Sequence, residues 1–450
     1  MPDLPLSKKP WSHSPLLAWS LAAAGFVVAA FCLASLTWDG SYYLLKSLQD
    51  GAPIMPHRRW VNWALLQPVL WARPVASAPV ELAVLHGLMC SLLPLWSLAA
   101  CLLMLRGAFA RLRFWAVLGI LIAPLPGQIL LVGEVTPALQ LGWVCLAFVW
   151  RGCPWRWALP VAFSAGAMWG LHPVSAPFFF YAAATAAALG FAVAERRSRF
   201  WTWAALFGLA SLGKGAETLL LASDYERANL HGAAWVSECA TGLLMTPFAA
   251  LIPVLIEAVC SFRDSAPSRR STLLWGVAFA LGIAYTVYPG GWTGALCYRK
   301  FGILFATPLA LMAGAEAWRH WRGSGDLPAR SLLRPALLFA VMMVGMSFSW
   351  RYLCRSLLEH LATHRSPVHM QTDLPQLERD SALNHWSTTS LSLVLQGWTP
   401  EKVHVWDCDR QTVKNRLRIC PEDACRWEDK SFKLAWLDGI ALPFSAERKP

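Results

Sequence analysis

Charge is what this chain has least of. Charged residues make up 15% of its 450 residues, where soluble domains carry roughly 25%. That scarcity, with 56% hydrophobic residues and 26 tryptophans, excludes an ordinary solvated surface and points to a polytopic membrane protein. Several signatures of chemistry are also missing. No Ser-His-Asp spacing, zinc motif or Rossmann fingerprint stands out. The stretch from Gly208 to Lys214 matches part of a phosphate-binding loop, but Gly215 follows where Ser or Thr is required. The stretch is also an apolar span with no preceding strand, so nucleotide binding there is rejected. No internal repeat of the transporter kind is present. No small-x-small cleavage site precedes Asp39, so the run after Lys8 and Lys9 reads as an uncleaved first helix, not a secretory signal.

What the chain does have is apolar length. The runs are Leu16–Leu36, Pro79–Leu105, Phe114–Val132, Ala138–Trp150, Ala158–Ala194, Trp201–Ala222, Leu243–Phe262, Ser271–Pro289, Phe301–Ala317 and Pro335–Leu353. Ala158–Ala194 is too long for one crossing at roughly 1.5 Å per residue. Proline disfavours helix in the residue before it, so the run splits at His172-Pro173. The expectation is about eleven spans.

The net charge of +12 would suggest nucleic acid in a soluble protein, but here the excess lies in short loops and reads as topology. Five loops carry it: Arg106, Arg111 and Arg113; Arg151 and Arg156; Arg196, Arg197 and Arg199; Arg263, Arg269 and Arg270; Arg319, Arg322, Arg330 and Arg334. With a cytoplasmic N-terminus all five fall on the cytoplasmic side, provided the long run is two helices. The opposite face then holds Thr37 to about Ala78, the turn Gly133–Pro137, the break at His172, Ser223–Gly242, Gly290–Gly302 and everything after Cys354. Within the first of these, Trp60–Ala72 interleaves Trp, Leu and Val with Asn62 and Gln67, and is expected to lie along the interface.

The fold expected is therefore an all-α polytopic membrane domain over 1–354. A small extracytoplasmic α+β domain follows over 355–450, where Val403–Trp406 and Phe432–Trp436 alternate like strands. Its Cys408, Cys420 and Cys425 allow one disulfide and leave one thiol over, unless Cys354 pairs too. No histidine has finger spacing to them, so metal binding is the weaker reading.

Asp39 is the first candidate for chemistry. It lies in the run Trp38-Asp39-Gly40-Ser41-Tyr42-Tyr43, just past the first span. An acid held at the water boundary by aromatic residues is suited to catalysis, and equally to capping a helix over Tyr42–Leu48. Glu134 is the second, in the tight turn Gly133–Pro137 on the same face; its plain alternative is a solvated turn carboxylate. Two acids on one face are the minimum for base catalysis or metal binding. His57, Arg58 and Arg59, and then Tyr298, Arg299 and Lys300, put basic groups on that face against the general charge trend. They suit capture of a phosphate or diphosphate, or snorkelling to headgroups. His172 would bind substrate or, as such breaks require, satisfy backbone groups freed by Pro173. Lys214 and Glu217, three apart in one span, would pair with each other.

Together these features resemble the GT-C superfamily of membrane glycosyltransferases, which use polyprenyl-phosphate sugars at the non-cytoplasmic face. Trp38-Asp39-Gly40 with Tyr42-Tyr43 resembles the acidic motif after the first helix. Gly133-Glu134-Val135-Thr136-Pro137-Ala138-Leu139 resembles the turn where a Glu opens the fourth helix. Tyr298-Arg299-Lys300-Phe301, followed by Pro308, resembles the late basic loop that holds the lipid phosphate. The resemblance covers about Leu16 to Leu353, and the tail matches no named branch.

The short Arg-rich loops and short N-terminus suit a bacterial inner membrane, and the loop charges put the C-terminus on the periplasmic side. The resemblance implies an inverting transferase. Asp39 would be its general base, assisted by Glu134, and the substrate would be held by Arg58, Arg59, His172, Tyr298, Arg299 and Lys300. Its partners would be the bilayer, a polyprenyl-phosphate-linked sugar and a glycan, lipid or protein acceptor, with no nucleic acid. One acid stands where several branches have an adjacent pair, so no metal ligands are assigned and a divalent metal is left open as cofactor. The rival readings are a polytopic transporter or lipid flippase, and a non-catalytic scaffold acting through its tail.

Overall fold

The computed structural model describes residues 14–37, 39–55, 59–125, 134–221, 251–263, 269–287, 301–323, 330–363, 368–370, 388–396, 404–406, 425–427 and 430–432. The described chain is mostly helical. The first element, α1 (Pro15–Phe31), starts where Ser14 accepts a hydrogen bond from Leu17 N and Pro15 occupies the first helical position. It ends at Leu33, which takes a left-handed conformation at φ 64° and turns the chain into a short 3₁₀ segment, Ala34–Leu36. Then follow α2 (Asp39–Asp50), α3 (Trp60–Ala72) and α4 (Pro79–Met104).

After α4 the chain makes a 3₁₀ stretch, Gly107–Leu112, and enters α5 (Arg113–Val117), which widens into a π segment, Leu118–Ile122. The widening lies where another helix presses in. Gly119 receives the indole of Trp143, so closely that a Cβ at Gly119 would lie 1.8 Å from Trp143 Cε2. Gln140 Nε2 donates to Ile120 O at 2.9 Å, satisfying a carbonyl of the loosened turn.

Both Trp143 and Gln140 belong to α6 (Val135–Trp150), every residue of which is buried. It is the central post of the bundle and packs against α4, α7 (Ala158–Trp169), α8 (Ser175–Ala192) and the π segment. Next come α9 (Arg197–Leu220), α10 (Leu251–Arg263), α11 (Arg269–Val287), α12 (Phe301–Trp321) and α13 (Leu333–Thr363). The long run at 158–194 is indeed broken between Trp169 and Ser175, around Pro173.

Close backbone approach holds the first helices together. A Cβ on Gly87 of α4 would meet Ala30 of α1 at 2.9 Å, the small-residue contact that apolar helices use. On the other side of α1, Phe339 of α13 lies against Phe26, and Trp350 Nε1 donates to Leu33 O at 2.9 Å.

Among the described residues, three helices are long and apolar enough to cross a membrane: Pro79–Met104, Ser175–Ala192 and the Leu333–Glu359 part of α13. Pro15–Phe31, Val135–Trp150 and Leu251–Cys260 are shorter and apolar. The five basic loops meet at one end of the bundle. Arg151 Nη1 donates to Arg106 O at 2.9 Å, and Arg196 lies over the Trp321 ring. Arg330 joins Glu316, Arg319 lies over Phe262, and Arg334 donates to Ser271 Oγ.

Beyond α13 the described pieces are short. Val368–Met370 pairs in parallel with His404–Trp406, and Cys425–Trp427 pairs antiparallel with Lys430–Phe432. Helix α14 (Thr388–Gln396) packs on α2, α4 and α13. Cys408, Cys420 and the expected strand residues Lys433–Trp436 lie outside the described residues, as does Val403; Cys354 is a free, buried thiol.

Candidate functional site

The end of the bundle opposite the basic loops holds the first candidate acid by position and the second by contact. Asp39 is the first residue of α2, and the backbone is fixed there by Gly40 N donating to Thr37 O at 3.0 Å. Thr37 is itself tied by its hydroxyl to Ala34 O at 2.7 Å. Tyr43 follows one turn later on α2, four residues from Asp39, so the two positions share a helical face.

Glu134 sits just ahead of α6 and is 3% exposed. Its Oε2 lies 2.6 Å from Arg59 Nη1. Its Oε1 accepts from Asn62 Nδ2 at 2.9 Å and from the Tyr43 hydroxyl at 3.4 Å. Arg59 caps α3 and Asn62 is in its first turn, where Asn62 N donates to Arg59 O at 3.2 Å. One carboxylate therefore draws together α2, α3 and the opening of α6, segments far apart in sequence. The α2–α3 connection is closed from within, with Ile54 N donating to Ser47 Oγ at 3.1 Å.

The charge logic is that of a buried pair. An arginine and a carboxylate taken out of water lose hydration, and the loss is offset only by short, well-directed bonds. Here the carboxylate has a guanidinium on one oxygen and neutral donors on the other. Arg59, expected to bind a phosphate, is paired here with the Glu134 carboxylate.

His172 lies at the break between α7 and α8. Its Nδ1 accepts from Val174 N at 3.2 Å, and its carbonyl takes Ser175 N and Oγ at 3.0 and 2.9 Å. This is the backbone-satisfying role that a proline break demands. Trp60 of α3 lies on Gly170, so closely that a Cβ there would meet Trp60 Nε1 at 2.1 Å, which places the break beside α3. The helix Trp60–Ala72 has the expected bounds, with Asn62, Leu66 and Val69 along its buried face. Asn62 is buried on Glu134, while Trp60, Trp63 and Trp71 are exposed. The polar residue is turned inward by a buried acid, which outweighs its preference for water.

Trp38, His57, Arg58, Gly133, Tyr298, Arg299 and Lys300 lie outside the described residues. Lys214 and Glu217 do pair, at 3.2 Å, with Lys214 over the Trp169 ring. Among the described residues no group of three His, Cys, Asp or Glu side chains is placed to hold a metal ion. The Glu134 carboxylate is already bonded by Arg59, Asn62 and Tyr43.

Two buried acids escaped the sequence reading. Glu316, fully buried in α12, accepts from Trp115 Nε1 and Arg330 Nη1, both at 2.8 Å, and has Arg111 Nε at 3.9 Å. Glu257 of α10 accepts from Ser271 Oγ at 2.6 Å, to which Arg334 Nη1 donates at 2.9 Å. Both are at the basic end and tie its arginines down. Their signal was an acid inside an apolar run, with an arginine in a loop on the same side. Comparison of the chain with protein-family models, with curated proteins and with solved structures found no match in any of the three.

Proposed function

We propose that this chain is an integral membrane glycosyltransferase of the GT-C kind, crossing the bilayer about eleven times with its basic loops cytoplasmic. It moves a sugar from a polyprenyl-phosphate donor to a glycan, lipid or protein acceptor at the periplasmic face of a bacterial inner membrane. The 355–450 tail forms a second, extracytoplasmic α+β unit. The observation that carries the reading is the Glu134 carboxylate, bonded at once to Tyr43 of the Asp39 helix and to Arg59 and Asn62 of α3. That arrangement supports a single site in which Asp39 and Glu134 have different tasks.

In this mechanism Asp39 takes the proton of the acceptor hydroxyl as the oxygen attacks the anomeric carbon. The bond from that carbon to the lipid phosphate breaks, and the phosphate leaves with the electron pair. One displacement inverts the configuration. Arg299 and Lys300, with Arg58, stabilise the charge that builds on the departing phosphate. Glu134 holds α2 and α3 so that the Asp39 backbone is fixed against the donor; it is a positioning residue here. His172 supports the α7–α8 break beside α3.

The test is transfer from a radiolabelled polyprenyl-phosphate sugar by the full chain in proteoliposomes. Asp39→Asn is expected to lose about 10²- to 10⁴-fold in turnover, the usual contribution of a general base, with an unchanged melting temperature. Near-normal turnover by the folded variant removes Asp39 from the chemistry.

A further inference from the structure

The far end of α6 presents a different arrangement. Arg151 follows α6 directly, and Arg156 lies in the 3₁₀ turn Trp155–Trp157. Arg196 and Arg199 come from the joint between α8 and α9. Arg151 and Arg196 flank one aromatic pair. Phe109 and Trp321 have ring centroids 5.5 Å apart, with the Arg151 guanidinium 4.7 Å from the first and the Arg196 guanidinium 4.9 Å from the second. Trp321 is pinned by its Nε1 donating to Trp150 O at 2.9 Å. Gly152, at φ 88°, leaves room for Arg196: a Cβ there would lie 2.6 Å from Arg196 Nη1.

These arginines repel one another. Burial and then the charges of Arg156 and Arg196 push the Arg151 guanidinium below its ordinary range. Among the described residues, none of Arg106, Arg151, Arg156, Arg196 and Arg199 has a carboxylate within ion-pair distance. Glu195, on the same joint, is exposed and pairs with none of them. The neighbouring arginines differ: Arg111 and Arg330 are held by Glu316, and Arg334 by Ser271. Topology asks only for positive charge in a loop. It does not ask for half-buried guanidiniums held against aromatic rings. Around the cluster Trp155, Trp201 and Phe191 are exposed, the aromatic dress of a headgroup boundary.

We infer that the cluster of Arg151, Arg156, Arg196 and Arg199 binds the phosphate of an anionic phospholipid headgroup in the leaflet at that end of α6. The bound lipid phosphate supplies negative charge to these guanidiniums, and its glycerol end lies against the exposed tryptophans. This rests on the membrane reading above and is independent of which reaction occurs at the Glu134 end.

The experiment uses the full chain extracted in neutral detergent, with dioleoylphosphatidylglycerol and dioleoylphosphatidylcholine added at equal concentration and bound lipid counted by native mass spectrometry. The wild type is expected to retain phosphatidylglycerol in excess. Arg151→Gln/Arg196→Gln together should lower that affinity roughly thirty-fold, at on the order of fivefold for each charge near an anionic surface. Arg355→Gln, on an exposed arginine paired to Glu359 in the C-terminal part of α13, should leave it unchanged. Equal retention of the two lipids by the wild type overturns the inference, and that comparison needs no variant to fold. A double variant that keeps the preference overturns it, as does displacement of phosphatidylglycerol by millimolar inorganic phosphate. A chain that needs no detergent fails the membrane reading itself, a different result from a detergent-extracted chain without lipid preference.

Discussion

Glu134 and Asp39 are both acids in a chain poor in charge, and the proposed mechanism gives them different tasks. Glu134 is buried and bonded to Arg59, Asn62 and Tyr43. Replacing it with Ala takes the counter-charge from a half-buried guanidinium, a change that costs about 3–5 kcal/mol in buried pairs. Glu134→Ala is therefore expected to lower the melting temperature in detergent as well as transfer, because α2 and α3 lose their common tie. An unchanged melt would mean that the pair does not hold the site together. The two acids were legible in the sequence because an acid beside an apolar run has little reason to be there unless it works or pairs. Asn62 and Tyr43 were not legible as its partners. Asn62 looked like the wet side of an interfacial helix, and Tyr43 like an interfacial aromatic. Their meeting at residue 134 is a tertiary event that no local spacing encodes. Glu257 and Glu316 were missed for the same reason, their arginines being brought to them only by the bundle.

At the scale of elements, hydropathy located the helices well and their details badly. The break at 170–174 was readable because proline acts on its own neighbour in the chain. The π segment at Leu118–Ile122 was not, since its cause is the Trp143 indole arriving from α6. That contact makes a sharp prediction. Gly119→Ala puts a methyl into the Trp143 ring and must shift one element or the other, at a cost of about 1–3 kcal/mol or more. The thermal melt of the purified variant checks it; a wild-type melt would show that Trp143 does not sit on Gly119. The helix Trp60–Ala72 teaches the converse lesson. Its bounds were legible, but alternating Trp and Asn suggested a wet face that Glu134 has drawn inward. One buried hydrogen-bond partner is enough to reverse the meaning of a polar residue in a pattern.

The whole molecule has two unlike ends. One gathers Tyr43, Arg59, Asn62 and Glu134, and the other gathers the basic loops with Glu257 and Glu316. Between them runs α6, 16 residues long, which spans about 24 Å at the α-helical rise. This polarity was foreshadowed by counting arginines along the sequence, since loop charge is a one-dimensional signal. Its consequence is testable by labelling intact cells with a membrane-impermeant maleimide, in a background whose native thiols are removed. A cysteine at Val75, 85% exposed after α3, should label from the outside. A cysteine at Trp155, 67% exposed at the arginine end, should label only after the membrane is opened. Labelling of both without permeabilisation would contradict the assignment of the basic loops to the cytoplasm. Helix α14, from the tail, packs on α2, so the last part of the chain bears on the position of Asp39.

The most direct measurement concerns where the donor lies. A polyprenyl phosphate carrying a photoreactive group next to its phosphate is bound to the purified full chain, irradiated, and the labelled peptides are sequenced. The account predicts label in the segments 39–50 and 60–72, beside Asp39 and its Glu134 tie. Label confined to the arginine end, around residues 151–156 and 196–199, would contradict it.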